Sequence, residues 1–341
     1  MSVDSCLFRE AAAAPSAVRT QLIANRDAIG GLGKALRQFA PRAVVTCARG
    51  SSDHAATYAR YLIETRTGLL ASSAAPSVSS LYAAKADLRS VLFVVISQSG
   101  ASPDLLAAAS AAKDAGALVV ALVNAEDSPL VRAASHAIPL RAGTESSVAA
   151  TKSYIASLSA VVQLVGHWTR DEGLLDALDG VPDQLEAAWQ FDWGAAIEPL
   201  RNANSLFVVG RGLGLGIAQE AALKLKETCG LHAEAFSSAE LRHGPVALVG
   251  RGFPVLAFAQ ADETRPDVDS LARELVGVGA RVLLAGSQVP GALTLPAIRA
   301  HPAIEPLLLI QSFYRFANAL ALSRGRDPDR PPHLRKVTET V

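Results

Sequence analysis

Cysteine is scarce in this 341-residue chain, and the cysteines it has lie far apart. There are three, Cys6, Cys47 and Cys229, and they show neither a metal-binding nor a disulfide spacing. That is typical of a reducing compartment. No apolar run approaches the ~18 residues that a membrane span requires, and the N-terminus lacks the basic start and apolar core of a signal peptide. We therefore expect a cytoplasmic protein without a metal site.

An excess of charge of either sign is also missing, since Lys+Arg and Asp+Glu both total 32. A nucleic-acid or membrane-surface partner would favour a basic excess, so we predict neither partner. A balanced total still permits a local basic pocket for one phosphate. Half of the residues are apolar, and at roughly 100–200 residues per domain the length predicts two domains.

Short apolar runs alternate with Ala- and Leu-rich stretches, a pattern typical of α/β folds with parallel sheets. The predicted strands are Ala43–Cys47, Val91–Ile96, Leu118–Val123, Ser205–Val209, Pro254–Ala259 and Arg281–Ala285. The predicted helices are Asp53–Thr65, Pro103–Ala115, Lys152–Trp168, Asp183–Gln190, Ile217–Cys229 and Asp267–Val278.

The chain contains an internal repeat at an offset of 162 residues, which aligns Arg49 with Arg211 and Gly68 with Gly230. In both copies an apolar strand leads into Arg-Gly, a turn of small residues and a helix that ends at glycine. We therefore predict two tandem doubly wound parallel-sheet domains of flavodoxin-like type. The predicted parts are residues 1–180, residues 181–330 and a C-terminal tail, 331–341, that closes the active site.

A serine-rich loop, Ser97-Gln98-Ser99-Gly100-Ala101-Ser102, follows one buried strand and opens the next helix. One interpretation is a plain helix cap, with Ser102 at the N-cap and Pro103 at the first helical position. The other is an anion site, because hydroxyls and free amides at a helix N-terminus bind phosphate. Ligands of open α/β sheets also bind at the carboxyl ends of strands. The two interpretations are compatible.

The turn Arg49-Gly50-Ser51-Ser52-Asp53 has hydroxyls that could bind a ligand, although Ser52 or Asp53 could instead merely cap the following helix. The equivalent turn in the second copy, Gly212-Leu213-Gly214-Leu215-Gly216, resembles a dinucleotide fingerprint. No acidic residue about 20 positions later ends a second strand as a ribose ligand. We therefore predict no nucleotide cofactor.

Lys224 and Glu227 are three residues apart and so share one face of a predicted helix. Most such pairs form a solvated charged stripe. Here alanines and leucines surround the pair, and Glu227 lies just before Gly230, the predicted helix end. The negative end of the helix dipole favours proton uptake there, which is suited to a general base.

Two further stretches allow two interpretations each. His243, in Glu240-Leu241-Arg242-His243-Gly244-Pro245, is predicted on a loop, and taken alone it is more often non-catalytic. The proline-rich tail 327–338 would ordinarily be solvated, but it could equally fold over a site.

Taken together, these stretches resemble the sugar-isomerase (SIS) domain family. They resemble above all the isomerase half of glucosamine-6-phosphate synthase and the stand-alone isomerase-type glucosamine-6-phosphate deaminases. The motifs that carry the resemblance span nearly the whole chain. They are Ser-Gln-Ser-Gly, Ala-Gly-Thr-Glu followed by Ala-Thr-Lys, Ala-Leu-Lys-Leu-Lys-Glu, Glu-Leu-Arg-His-Gly-Pro and Leu-Arg-Lys.

The resemblance implies a role for several residues. Glu227 would move a proton between C2 and C1, Lys224 would assist at the neighbouring oxygen, and His243 from a partner subunit would open the sugar ring. Lys336 would form a Schiff base or only close the site. The residues implied to bind the sugar phosphate are Ser51, Ser52, Ser97, Gln98, Ser99, Ser102 and Val148.

The implied protein is a cofactor-free homodimer that converts glucosamine 6-phosphate to fructose 6-phosphate and ammonia. The loop reads Ser-Gln-Ser-Gly-Ala-Ser where the synthase has Ser-Gln-Ser-Gly-Glu-Thr, which favours the deaminase group. About 40 residues precede the first predicted strand, so we expect no glutaminase domain. The alternatives are a deaminase of galactosamine 6-phosphate, a deglycase of fructosamine 6-phosphate, and a protein that binds a sugar phosphate without reacting.

Overall fold

The computed structural model describes residues 5–336. Within that range the chain forms two compact units. The N-terminal unit contains residues 16–145, 152–179 and 335–336, and the C-terminal unit contains residues 5–15, 146–151 and 180–334.

The N-terminal unit has a five-stranded parallel sheet with strand order β2-β1-β3-β4-β5. Its strands are β1 (Ala43–Cys47), β2 (Leu70–Ser73), β3 (Val91–Ser97), β4 (Leu118–Val123) and β5 (His136–Pro139). The first eight helices of the chain are α1 (Cys6–Ala12), α2 (Ala14–Phe39), α3 (Ser51–Thr67), α4 (Pro76–Ser80), α5 (Pro103–Asp114), α6 (Pro129–Ala133), α7 (Lys152–Thr169) and α8 (Glu172–Asp179).

The C-terminal unit has a second five-stranded parallel sheet, of order β10-β9-β8-β6-β7. Its strands are β6 (Ser205–Gly210), β7 (His232–Ser237), β8 (Pro254–Phe258), β9 (Arg281–Ala285) and β10 (Leu293–Leu295). Its helices after α1 are α9 (Val181–Trp189), α10 (Ile197–Arg201), α11 (Gly214–Cys229), α12 (Ser238–Arg242), α13 (Arg265–Gly277) and α14 (Glu305–Ser323). Short 3-10 helices cover Gly194–Ala196 and Pro245–Leu248.

Each sheet is buried on both faces, as expected for parallel strands that are covered by crossover helices. In the N-terminal unit, Phe93 and Val95 of β3 pack with Leu105 and Ala109 of α5. In the C-terminal unit, one face of β8 packs against α13. Phe258, on the other face of β8, meets Phe313 of α14 with 6.3 Å between ring centroids.

The structure confirms the predicted fold class of two flavodoxin-like parallel sheets. Counted within each unit, both sheets have the order 2-1-3-4-5, the flavodoxin arrangement. The six predicted strands are all present, because they are central and carry unbroken apolar runs. The strands that sequence reasoning missed are β2, β5, β7 and β10. β2, β5 and β10 have only three or four residues, and β7 has only one buried residue. All four lie at a sheet edge, where no apolar run is needed.

Candidate active site

The serine-rich loop lies at the carboxyl end of β3, as expected. The Ser97 hydroxyl accepts a hydrogen bond from the backbone N–H of Gly100 at 3.0 Å, and the Ser99 hydroxyl accepts one from Ala101 at 3.3 Å. Gly100 has φ = +59°, and a Cβ at this position would lie 2.2 Å from the Ser128 hydroxyl oxygen. Glycine is therefore required for the loop to turn here.

Ser102 occupies the N-cap of α5, but its side chain makes no capping hydrogen bond. The plain-cap interpretation requires the Ser102 hydroxyl to accept a backbone N–H of α5, and it does not do so. At α3 that interpretation is wrong, because the N-cap is Gly50 rather than Ser52 or Asp53. Ser51 and Ser52 form the first turn of α3 and are partly buried.

Arg49 is the basic residue of the turn after β1, and sequence reasoning gave it no role. Its Nε donates to Asp104 Oδ2 at 2.8 Å. The Asp104 side chain of this pair is fully buried, whereas the Arg49 side chain is 51% exposed. The pair joins the turn after β1 to the start of α5 and leaves part of the guanidinium side chain accessible. The sequence feature that could have identified Arg49 is the Arg-Gly dipeptide, which occurs at the same place in both repeats.

Cys47 ends β1 beside this turn, and burial raises the pKa of its thiol to about 12. At neutral pH the thiol is therefore protonated and is a poor nucleophile. The cysteine contributes packing to the candidate site.

In the C-terminal unit, the glycine-rich turn after β6 is covered by protein. The Gln260 side chain donates to the carbonyl of Arg211 at 2.7 Å, and a Cβ on Gly214 would lie 2.4 Å from Gln260 Oε1. The space that a pyrophosphate would need next to these glycines is thus filled by a side chain.

Lys224 and Glu227 form a close ion pair on α11, with 2.5 Å between Lys224 Nζ and Glu227 Oε2. Lys224 is also 3.5 Å from Glu220 Oε1, and the Tyr314 hydroxyl donates to that oxygen at 3.1 Å. Glu220 and Lys224 are almost completely buried, whereas the side chain of Glu227 keeps 17% of its surface exposed. The solvated-stripe interpretation is therefore wrong for this helix face. Glu220 was missed because a lone acidic residue one turn upstream carries no signal of its own.

Glu227 lines an open cavity of about 590 Å³ in the C-terminal unit. Three basic side chains, Lys226, Arg326 and Arg330, line the same cavity. A carboxylate that is held by a buried lysine and reaches such a cavity is in a position to exchange protons with a bound ligand.

His243 follows α12 and is exposed. Its backbone N–H donates to Glu240 O at 3.0 Å, and the short helix before it is capped by the Ser237 hydroxyl. The preceding residue, Arg242, donates to Asp267 Oδ1 at 2.9 Å and to both carboxylate oxygens of Glu274 at 2.9 and 3.0 Å. The loop expected from the sequence is therefore a short helix and a turn that are tied down by ion pairs.

Val148 lies in the loop 146–151, which belongs to the C-terminal unit. The carboxylate of Glu10 accepts the backbone N–H groups of Ser146 at 2.5 Å and Ser147 at 3.1 Å. The conformation next to Val148 is thus held by a buried acidic residue of α1. Sequence reasoning did not identify Glu10.

Lys336 lies in the described part of the tail, and its Nζ is 3.4 Å from Glu145 Oε2. Glu145 is fully buried, and it accepts hydrogen bonds from the Ser153 hydroxyl at 2.5 Å and the Ser153 backbone at 3.1 Å. The tail is thus anchored at Lys336 to the loop after β5. Glu145 belongs to the Ala-Gly-Thr-Glu motif, but the sequence gave it no role.

The predicted site residues are divided between the units. The N-terminal unit carries Ser51, Ser52, Ser97, Gln98, Ser99, Ser102 and Lys336, and the C-terminal unit carries Val148, Lys224, Glu227 and His243. Within the C-terminal unit, Lys224 and Glu227 are in contact. The roles of all these residues stay predictions. Among residues 5–336, no helix is both long enough and apolar enough to cross a membrane.

Comparison with known proteins identifies the family to which this chain belongs. The SIS domain family model matches residues 40–166 and 199–288, which is more than half of the chain. The resemblance to sugar-isomerase domains is therefore confirmed. The chain belongs to the SIS domain family.

Relatives from other organisms are longer than this chain. The glutamine–fructose-6-phosphate aminotransferase (isomerizing) of Aeropyrum pernix is 36% identical over 308 residues, which cover 84% of this chain and 49% of the relative. The enzyme of that name from Methanothermobacter thermautotrophicus is 33% identical over 342 residues, covering 98% and 57%. The chain thus spans about half the length of the curated relatives that it matches.

Two solved structures are similar over almost their entire length. A Silicibacter pomeroyi chain, provisionally described as a phosphosugar isomerase, has 42% identity and a TM-score of 0.92 and covers 96% of this chain and 100% of its own. The C-terminal domain of glucosamine-fructose-6-phosphate aminotransferase from Francisella tularensis has 26% identity and a TM-score of 0.88, covering 96% and 98%.

Proposed function

We propose that this chain is a cytoplasmic amino-sugar phosphate deaminase and isomerase that converts glucosamine 6-phosphate to fructose 6-phosphate and ammonia. The observation that carries the proposal is the Lys224–Glu227 pair, a buried cation that holds a carboxylate at the edge of an open cavity. The similarity to aminotransferases that are named as isomerizing supports the same class of chemistry.

In the proposed reaction the sugar ring is opened first, with His243 as the proton donor and acceptor. Glu227 then removes the proton from C2 of the open-chain aldehyde, and Lys224 stabilises the oxygen on C1. Return of that proton to C1, with an amine N–H proton passing to the C1 oxygen, gives a hydroxymethyl group at C1 and an imine at C2. One water molecule hydrolyses the imine, which yields the ketose and ammonia and balances the atoms.

The phosphate is proposed to bind at the serine-rich loop. Ser97 and Ser99 have hydroxyls at the carboxyl end of β3, and Ser102 makes no capping bond that would compete for its hydroxyl. Arg49, which is paired with Asp104, keeps half of its side chain exposed at the turn after β1 and could donate further hydrogen bonds. Hydroxyls and a guanidinium together suit a dianion.

A deglycase of fructosamine 6-phosphates is the second candidate, and the cavity beside Glu227 favours it. Arg326 and Arg330 line this cavity, and either could bind the carboxylate of an amino acid attached to the sugar nitrogen. Proton transfer from C1 to C2 by Glu227, with the N–H proton passing to the C2 oxygen, would give an imine at C1. Its hydrolysis by one water molecule would release the amino acid and an aldose phosphate.

Incubation with defined substrates distinguishes these functions. The purified chain should release equal amounts of ammonia and fructose 6-phosphate from glucosamine 6-phosphate, and Glu227→Gln should abolish the release. Release only from fructosyl-amino-acid 6-phosphates would assign a deglycase. Turnover of galactosamine 6-phosphate but not of glucosamine 6-phosphate would identify galactosamine 6-phosphate as the substrate. Binding of the amino-sugar phosphates without turnover would assign a sensor.

The phosphate loop is tested by Ser97→Ala and Ser99→Ala. Each should weaken binding by about 1–3 kcal/mol, the value of a charge-assisted hydrogen bond, mainly through KM. Ser110→Ala on the exposed surface of α5 is the matched control and should leave KM unchanged. Unchanged KM values for both loop variants, with normal folding, would locate the phosphate elsewhere.

We further propose a homodimer in which the partner subunit's His243 completes each site. The proposed role of Lys336 is to close the site or to form a Schiff base. The exposure of His243 and of Leu248, which is 69% exposed in the same segment, supports docking onto a second copy. Closed two-fold dimers are the commonest oligomers.

Subunit mixing tests the shared site. Inactive Glu227→Gln and His243→Ala proteins should regain up to ~half of wild-type activity per mixed dimer, because one of the two sites then has both residues. Mixing Glu227→Gln with Lys224→Met is the control, and it should restore nothing because both residues come from one chain. No recovery in the first mixture, despite proven exchange of labelled subunits, would place His243 in its own chain's site or outside the reaction.

A further inference from the structure

The segment that carries His243 is fixed to helix α13 by an ion-pair cluster. Arg242 donates from Nε and Nη2 to the two carboxylate oxygens of Glu274 at 3.0 and 2.9 Å, and from Nη1 to Asp267 Oδ1 at 2.9 Å. The Ser238 hydroxyl donates to Asp267 Oδ2. Both ends of the five-residue helix α12 are therefore bound to the same neighbouring helix.

The geometry of this cluster restricts the backbone immediately before His243. A guanidinium that binds one carboxylate with two nitrogens and a second carboxylate with the third cannot rotate without breaking several bonds. Arg242 also donates to the carbonyl of Ser238 at 3.2 Å, which closes α12 on itself. On the other side of His243, Pro245 begins a 3-10 helix. The imidazole is thus exposed, and the helix that precedes it is anchored.

The cluster is built on a feature that both repeats share. In the N-terminal unit, Arg49 pairs with Asp104 at 2.8 Å. In the C-terminal unit, Arg211 pairs with Asp267 at 3.0 Å. The arginine follows the first strand of each sheet, and the aspartate lies in the first turn of the helix after the third strand of each unit. Only the C-terminal copy joins a further arginine, Arg242, to this aspartate.

The pKa values of the two carboxyl groups in the cluster are both lowered, as expected for groups that bind guanidinium ions. The hydrogen bonds from Arg242 are the main reason why the pKa of Glu274 lies below its usual value. Partial burial opposes ionisation of Asp267, yet the Ser238 hydroxyl and the charges of Arg211 and Arg242 lower the pKa of Asp267. Both carboxylates are therefore ionised at neutral pH and hold the guanidinium.

We propose that Arg242, held by Asp267 and Glu274, is a positioning residue that presents His243 for ring opening. The inference rests on the proposed role of His243. A general acid or base must lie within hydrogen-bond reach of its proton, and a displacement of about 1 Å can cost about 100-fold in rate. An exposed histidine at the end of a five-residue helix keeps its position only if that helix is anchored.

Ring opening can be measured separately from deamination in a Glu227→Gln background, where proton transfer at C2 is blocked. Exchange between the α and β anomers of glucosamine 6-phosphate, followed by NMR exchange spectroscopy, then reports ring opening alone. Adding Arg242→Met should reduce the catalysed exchange by about 100-fold, and Arg242→Lys should restore part of it. In the otherwise wild-type protein, Arg242→Met should lower kcat with little change in KM.

Arg265→Met is the matched control. Arg265 lies on the same helix and pairs with Asp269 at 3.8 Å, so its loss removes an ion pair of α13 without touching the α12 segment. It should leave anomer exchange unchanged. Glu274→Gln is a milder variant that keeps the Asp267 contact, and it tests the same point if Arg242→Met fails to fold.

The outcomes separate this inference from the proposed function. If His243→Ala abolishes the exchange while folded Arg242→Met and Glu274→Gln proteins keep it, the positioning role is wrong and the ring-opening role stands. If His243→Ala itself keeps the exchange, ring opening by His243 is wrong, and the positioning role is overturned with it. Equal losses in the Arg242→Met and Arg265→Met proteins would show a merely structural effect and would also overturn the inference.

Discussion

Replacement of Lys224 by methionine tests the buried ion pair that carries the proposed function. Lys224 lies 2.5 Å from Glu227 and 3.5 Å from Glu220, and it is only 1% exposed. Methionine fills a similar volume but removes the charge and leaves two acidic side chains without their cation. Loss of one partner from a buried ion pair costs about 3–5 kcal/mol, because the remaining charge is buried without compensation.

The expected loss is large enough to measure by thermal unfolding. For a unit of this size each kcal/mol lowers Tm by about 2–4 °C, so Lys224→Met should melt about 6–20 °C below the wild type at neutral pH. The matched control is Lys226→Met, two residues along the same helix, where the side chain is exposed. A surface substitution of that kind should change stability by no more than about 0.5 kcal/mol.

A second variant identifies the cause of the loss. Adding Glu220→Gln to Lys224→Met removes the fully buried acidic charge and should recover part of the stability, so that the two changes are not additive. If Lys224→Met melts within about 2 °C of Lys226→Met, the uncompensated charge is negligible and the reasoning is refuted. If the double variant is less stable than either single variant, the loss comes from packing rather than charge.

Three further predictions follow from other parts of the structure. Burial raises the pKa of Cys47 to about 12 and that of Cys229 to about 11, so iodoacetamide at pH 8 should label these thiols in urea but not in the native protein, as measured by mass spectrometry. Gly100→Ala places a methyl group on a residue with φ = +59° and should lower Tm and raise KM together; an unchanged Tm would contradict the strain. Because Arg242 lowers the pKa of Glu274, the ion pair should stabilise the protein fully above the usual value of 4.5 and lose its contribution as the pH falls through the lower folded-state value. Urea unfolding of Glu274→Gln should therefore differ from the wild type at neutral pH and converge with it in acid, and a difference that persists in acid would contradict this account.

The central parts of the fold could be predicted because their signals are local. Strands such as Leu118–Val123 are buried on both faces, so their apolar runs are continuous and easily recognised. Helix α11 ends at Gly230 in a left-handed conformation, as the sequence predicted. Edge strands such as Leu70–Ser73 form because a neighbouring strand offers free hydrogen-bonding groups, and that partner is not visible in their own residues.

Residues of the candidate site could be predicted only where they belong to a recognisable sequence motif. Glu227 and Lys224 share a helix face, and that spacing is visible in one dimension. Glu220 and Glu145 are buried acidic residues whose partners are Lys224 and Lys336. The Lys336–Glu145 pair joins positions 191 residues apart, and no local pattern encodes a contact of that range.

The two repeats share a framework but differ in what their loops can do. Each unit pairs an arginine of its first turn with an aspartate of a later helix, Asp104 or Asp267. In the N-terminal unit the adjacent loop presents hydroxyls. In the C-terminal unit Gln260 covers the equivalent turn, and Asp267 binds Arg242 in addition to Arg211. At the repeat offset Glu227 aligns with a threonine of α3, so only the C-terminal copy has the candidate base. Because the shared framework already fixes the strand ends in space, each copy could change its loops without loss of the fold. The observed division, with candidate anion ligands in one unit and the candidate base and His243 in the other, is the result expected when one scaffold is used twice for different steps.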